Sequence, residues 1–237
     1  MKNTLLMIKQ LLQVTYKNIL AFEGIVLGGY AFGFIISVII YNTSEDHTFI
    51  NLGAFMAMMF MLIAIFFGAV FTCSADFVLA ITNGKGRAHF LIARYVLYVL
   101  EFGVGFGIIK LGGLVDKAFA NAGGKPIDFI NIPGWQVLLA VTLVAPTIVM
   151  CASALYVRFE RKAFWALWVI WMVVTIAGPR ITSAMHKEPE SAAAKIGFFF
   201  QNAISVGSAQ FFIVAAVVGA VVFTLNFFLY RYLEAKL

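Results

Sequence analysis

Two carboxylates sit where so apolar a chain has least use for them. Glu101 lies near the middle of one long hydrophobic run, and Glu23 about one turn into another. A charge at the bilayer centre costs at least ~2.5 kcal/mol on insertion scales, so each acid needs a partner or a wet cavity. Two uses fit. Both acids can line a polar translocation path that attracts cationic substrate. Alternatively, Glu101 accepts interhelical hydrogen bonds or stays protonated, and Glu23 snorkels to the cytosolic interface. The other chemistry-bearing side chains form no set. His47, His89 and His186 are spread over separate connections, which gives no shared metal site. Cys73 and Cys151 have neither metal spacing nor a disulfide framework and read as small packing residues. HExxH and GxSxG are absent. The phosphate-binding GxxxxGK[ST] is absent too, because Gly84-Lys85 and Gly124-Lys125 lack the upstream glycine and the following hydroxyl residue. No catalytic residue, metal site or cofactor is assigned, and the chain does not read as an enzyme. If ATP drives it, hydrolysis takes place on another chain.

The elements that must position these acids are membrane spans. Of 237 residues, 62% are hydrophobic and only 12% charged, and the mean hydropathy is +0.96. That composition excludes a soluble globular domain. The apolar runs are continuous rather than alternating, which argues for helices over a β-barrel. The expected architecture is an all-α integral membrane protein with six spans, at about 19–41, 51–73, 90–112, 134–157, 163–181 and 208–230. The first run is too long for a cleaved signal and no small-residue cleavage pattern follows it, so the N-terminus is expected to be retained.

Charge sets the orientation. With both termini cytosolic, eleven of the 17 lysines and arginines fall inside and six outside, in keeping with the positive-inside rule. Acids in the outer loops, Asp116 among them, bring that face near neutral. The net charge of +6 is then a topology signal with attraction to anionic lipid, and nucleic acid is not an expected partner. Ahead of the first span, Leu5, Ile8, Leu12 and Ile19 recur at helical spacing opposite Lys9, Gln13 and Lys17. This pattern predicts an amphipathic helix over 1–18 lying in the cytosolic interface. On the outer side, the 113–133 loop is glycine-rich. Segment 182–207 turns from polar to apolar at Phe198–Phe200 and reads as a re-entrant or interfacial helix. Gly24, Gly28, Gly29 and Gly33 give small-xxx-small pairs that fit packing within the subunit or contact with a second copy.

One connection differs from a plain loop. Residues 74–90 join the second and third runs and carry Phe77, Val78, Leu79 and Ile81 at a water boundary marked by Lys85, Arg87 and Arg94. A short helix is expected there, with Ser74 or Asp76 capping its start and Asn83-Gly84 ending it. An apolar turn so placed is docking surface for lipid or a protein partner. The pattern resembles the first intracellular loop of export-type ABC permeases, whose membrane subunit and ATPase are separate chains. The matching positions are Phe77, Ala80, Gly84, Arg87 and Phe90.

The resemblance covers the topology of nearly the whole chain and about fifteen residues of motif. It implies a permease subunit in the cytoplasmic membrane, similar to small six-span peptide exporters and bacteriocin-immunity permeases of Gram-positive bacteria. It further implies a partner ATPase holding ATP and Mg, and a second copy or a paralogous permease. The cargo would be amphipathic or cytolytic peptides, or other amphiphiles, moved outward. Phe77, Leu79, Gly84, Arg87 and Phe90 would couple to the ATPase, and segment 1–18 would be an elbow helix touching it. Arg158, Glu160 and Arg161, in a charged connection that otherwise reads as a solvated topology anchor, would form a second, smaller contact.

A secondary transporter is the alternative. Six spans divide into three plus three, and Gly28-Gly29 and Pro146 interrupt spans one and four at corresponding places. Pro146 would free the carbonyl of Thr142 for coordination.

Overall fold

In the computed structural model, residues 2–45, 48–123, 125–127, 134–187, 190–192, 195, 198 and 209–233 are described. They are almost entirely helical. Helix α1 spans Lys2–Thr43 and strand β1 Thr48–Ile50; α2, Leu52–Ile63, leads through a π-helical turn, Ala64–Ala69, into α3, Val70–Thr82. Then follow α4, Arg87–Gly123; β2, Lys125–Ile127; α5, Trp135–Phe159; α6, Arg161–Lys187; and α7, Ala209–Tyr232.

Five stretches are long and apolar enough to cross a membrane: Thr4–Thr43, Leu52–Thr82, Arg87–Asn121, Trp135–Phe159 and Phe212–Tyr232. They match five of the six expected runs. The remaining run, 163–181, lies within α6. The apolar segment expected at Phe198–Phe200 lies mostly outside the described residues, as does His47.

Three boundaries differ from expectation. No break separates a short interfacial helix over 1–18 from the first span, because α1 runs unbroken from Lys2 to Thr43. At ~1.5 Å per residue it is roughly 63 Å long, about twice a bilayer's hydrocarbon core. Its N-terminal third is held by Met7, Leu11 and Thr15, all buried, whereas Leu5 and Leu12 face outward. The inward stripe was therefore set by packing on the neighbouring helices, not by the most apolar face. The third run also continues, past 112 to Gly123, so Asp116 is a helical residue rather than an outer-loop charge. Finally, 74–82 is the end of α3 and not a separate short helix.

The π turn explains how α2 and α3 bury one face. Ala54, Ala57, Met61 and Ala64 are buried at spacings of three and four, and the stripe resumes five residues later at Ala69, then Cys73, Phe77 and Ala80. A turn closed by i→i+5 bonds absorbs the extra residue and keeps the stripe inward.

Helix α2 is capped by its neighbours. The Leu52 amide donates to Ser37 Oγ (3.1 Å) on α1, and the Ala54 amide to Asp116 Oδ2 (3.0 Å) on α4. Asp116 is fully buried and also accepts from the Tyr30 hydroxyl (3.2 Å). A carboxylate on the first turn's free amides meets both their hydrogen-bonding need and the helix dipole. The α1–α2 contact is close enough to require glycine: a Cβ on Gly33 would fall 2.4 Å from the Leu52 carbonyl oxygen. Gly29 and Gly33 thus pack inside the subunit, while Gly24 and Gly28 face open space.

Strands β1 and β2 pair in parallel, Phe49 opposite Pro126. They follow α1 and α4, which therefore run in the same direction and end on the same side of the bundle. On the other side, Thr4 of α1 shares a hydrogen bond with His89 at the start of α4 (3.1 Å). Phe71 of α3 meets Tyr156 of α5 there (centroids 4.8 Å), and Phe77 meets Tyr230 of α7 (4.7 Å).

Candidate functional site

The turn between α3 and α4 is built to stop one helix sharply. Gly84 has φ +68°, a left-handed conformation that costs glycine nothing. The Gly84 amide donates to the Ile81 carbonyl and the Lys85 amide to the Ala80 carbonyl, both at 2.9 Å, the paired bonds of a Schellman stop. The expected end at Asn83-Gly84 is thus observed. The expected start is not: Asp76 and Ser74 sit inside α3, and the Ser74 hydroxyl donates back to the Phe71 carbonyl (2.7 Å).

The five loop residues divide. Phe77 and Phe90 are fully buried, their rings 5.5 Å apart, and both pack on Tyr230. They bind α3, α4 and α7 together and offer no surface to a partner. Leu79 is 48% exposed, so it is the apolar side chain here that a partner can reach; Val78 and Ile81 are half-buried. Arg87 donates to the Arg231 carbonyl at the end of α7. Beside this tip, a groove of about 400 Å³ runs between α1 and α3, lined by Met7, Gln10, Leu79, Asn83 and Lys85.

Behind the tip lies a buried polar line. Arg94, counted as a cytosolic surface charge on sequence grounds, is 2% exposed and forms an ion pair with Asp76 at 2.9 Å. The contact is off the hydrogen-bond axis. Arg94 also donates to the Tyr98 hydroxyl (3.0 Å) and to Thr72 Oγ1 (3.2 Å), and its guanidinium stacks over the Tyr98 ring, 4.2 Å from the centroid. The Tyr98 hydroxyl donates to the carbonyl of Ala69, the last residue of the π turn. An irregular turn leaves a backbone acceptor for an outside donor.

On α4, Arg94, Tyr98 and Glu101 follow at intervals of four and three, which places them on one helix face. Glu101 is 7% exposed and lines a cavity of about 320 Å³ with Phe22, Ile25, Phe67, Thr72 and Arg94. Glu23, on α1, is near enough to interact with Glu101 through space. Both Glu23 carboxylate oxygens are buried without a hydrogen-bond partner. The structure therefore brings the two sequence-predicted acids together, with both Glu23 oxygens turned away from the surface. Phe22 and Phe102 close this region (centroids 5.8 Å).

The second candidate contact lies at the one-residue link between α5 and α6. Glu160 has φ 46°, the only positive value at a non-glycine among the described residues, and Arg158, Glu160 and Arg161 are all exposed. Pro146 is inside α5. Carbonyls near it are engaged by Tyr95, whose hydroxyl donates to Leu143 (3.1 Å), and by Asn226, whose amide donates to Thr147 (2.7 Å). Cys73 is buried, with Sγ 3.5 Å from the Tyr230 hydroxyl. No three His, Cys, Asp or Glu side chains converge on a metal position among the described residues.

What sequence reasoning missed is the set Asp76, Arg94, Tyr98 and Asp116. The signal was present for Arg94 and Tyr98, which share the Glu101 face. Asp76 and Asp116 gave no such signal, because each sits at the edge of an apolar run, where Asp76 reads as a helix cap and Asp116 as an outer-loop charge. Comparisons with protein-family models, curated proteins and solved structures give no match.

Proposed function

We propose that this chain is the membrane subunit of an ATP-driven exporter of the ABC class. In this reading α6 supplies a sixth span, both termini are cytosolic, and the protein resides in the cytoplasmic membrane. It pairs with a second copy or a paralogue. A separate ATPase subunit, holding ATP and Mg, docks at the α3–α4 tip, and amphipathic peptides or similar amphiphiles move outward.

The observation that carries the reading is the way the tip joins the interior. A partner pressing on Leu79, Asn83 and Lys85 would push on the last turns of α3. These turns are tied by Asp76 to Arg94 and by Phe77 to Phe90 and Tyr230. Force at the surface would then reach the α4 face that carries Glu101. A coupling element needs that stiffness, since a conformational change is driven only by a partner that binds its two states differently.

The test is co-purification in detergent with the ATPase encoded nearest the gene, followed by an ATP-hydrolysis assay. A stable complex is expected, with association lost in Leu79→Asp and in Lys85→Glu while both variants remain folded. Phe77→Asp is the wrong probe, because burying a carboxylate in the aromatic cluster would disrupt the fold itself. A well-folded sample that binds no ATPase would overturn the reading. The secondary transporter would then lead, and one feature favours it: two acids on apolar helices beside a cavity, with no hydrogen-bond partner among the described residues.

A further inference from the structure

The cavity between α1, the π turn and α4 has a buried carboxyl group in its wall, Glu101, with a second, Glu23, close by. Glu101 and Arg94 line the cavity; Asp76 pairs with Arg94, and Glu23 interacts through space with Glu101. The Arg94 guanidinium pairs with Asp76 and, through Nη2, donates to Tyr98 and Thr72, with no hydrogen bond to Glu101 among the described residues. Glu101 is more than nine-tenths buried, forms part of the cavity wall, and has no hydrogen-bond partner among the described residues. The Glu23 carboxylate beside it is equally unpartnered. Burying such groups unpaired is costly, and a cation placed beside them offsets part of that cost.

The rest of the wall narrows the class of cation. Phe22, Ile25, Ile63 and Phe67 make most of it apolar, with aromatic rings that attract a cation to their faces. Thr15, Asn18 and Thr72 add a few polar atoms, and the Arg94 side chain, paired with Asp76, completes the wall. A hard inorganic ion would need a shell of oxygen ligands, which this wall does not provide. The volume of about 320 Å³ holds a small organic molecule, not a peptide.

We propose that this cavity is a binding site for a small organic ammonium ion, held by Glu101 with Glu23 as a second carboxylate. Phe22 and Phe67 pack on its apolar substituents. The site goes beyond the exporter reading and requires no ATPase, so its test is independent of complex formation.

The experiment is equilibrium binding of radiolabelled tetraethylammonium to the purified full chain in phosphatidylcholine nanodiscs, whose lipid carries no net charge. Saturable binding is expected, competed by benzyltrimethylammonium and not by the uncharged benzyl alcohol. Glu101→Gln should weaken it at least tenfold, Glu23→Gln less, and Glu45→Gln not at all. Ile25→Trp, which fills the cavity and keeps both carboxylates, should abolish it. Thermal unfolding identifies any variant that fails to fold, and the cavity-filling variant then stands in for a lost Glu101→Gln. Absence of saturable binding to the folded wild type would overturn the proposal. So would undiminished affinity in a folded Glu101→Gln, or equal competition by benzyl alcohol.

Discussion

Arg94 holds the interior polar line together, so its removal distinguishes a pair that matters for charge from one that matters for shape. Arg94→Met leaves Asp76 buried and unpaired. The expected loss is about 3–5 kcal/mol of stability, the usual cost of breaking a buried pair from one side. Replacing both partners, Asp76→Leu with Arg94→Met, should cost markedly less, because no charge is stranded. Thermal unfolding of the three variants in detergent measures this. A double variant as unstable as the single one would mean that the stacked guanidinium on Tyr98, not the ion pair, is what the fold needs. Glu160 offers the opposite case at the same scale. Its φ of 46° is a conformation glycine adopts freely, so Glu160→Gly should raise stability by up to about 1 kcal/mol. An unchanged or lower melting temperature would show that the exposed carboxylate contributes something the backbone strain conceals.

At the scale of elements, the register of α2 and α3 depends on one extra residue, and deletions can show it. Removing Gly68, which is exposed and has nothing within 4 Å of its Cβ position, turns the five-residue step from Ala64 to Ala69 into four. An ordinary α-helix then keeps Ala64, Ala69, Cys73 and Phe77 on one face, so the variant should insert and fold. Removing Met59 from α2 instead rotates everything before it by about 100° relative to the stripe and should abolish folding. Monodispersity of the two detergent-solubilised proteins decides, and equal behaviour would contradict the phasing argument. Helix α2 also depends on trans capping. Asp116→Leu removes the acceptor of the Ala54 amide and the Tyr30 hydroxyl and should cost about 1–2 kcal/mol in the same melting assay.

For the whole molecule, hydropathy was enough to read most of the spans, since a long charge-free run has one solution in lipid. It could not read where helices end. Asp116 and Arg94 are ionised types that mark a boundary by composition, yet both are buried, Asp116 among partners from α1 and α2 and Arg94 among partners from α3 and its own helix. Nor could it separate Phe77 from Leu79: both are apolar, and only the packing of α7 against α3 decides which points inward. Sidedness rests on both levels. The parallel strands put the α1 and α4 exits on one side, while contacts of Thr4 with His89, Phe71 with Tyr156 and Phe77 with Tyr230 gather the N-terminus, both short turns and the end of α7 on the other. Lys85, Arg158, Arg161, Lys162 and Arg231 are exposed there, and basic residues near short connections stay cytosolic. In a background of Cys73→Ala and Cys151→Ala, a membrane-impermeant maleimide should therefore label Glu45→Cys in intact cells. Lys85→Cys and Glu160→Cys should be labelled only after permeabilisation. Labelling of Lys85→Cys and Glu160→Cys from outside would invert the topology and remove any access of a cytosolic ATPase to the α3–α4 tip. If only one of that pair were labelled, the two turns would lie on opposite sides of the membrane, contradicting the helix contacts themselves.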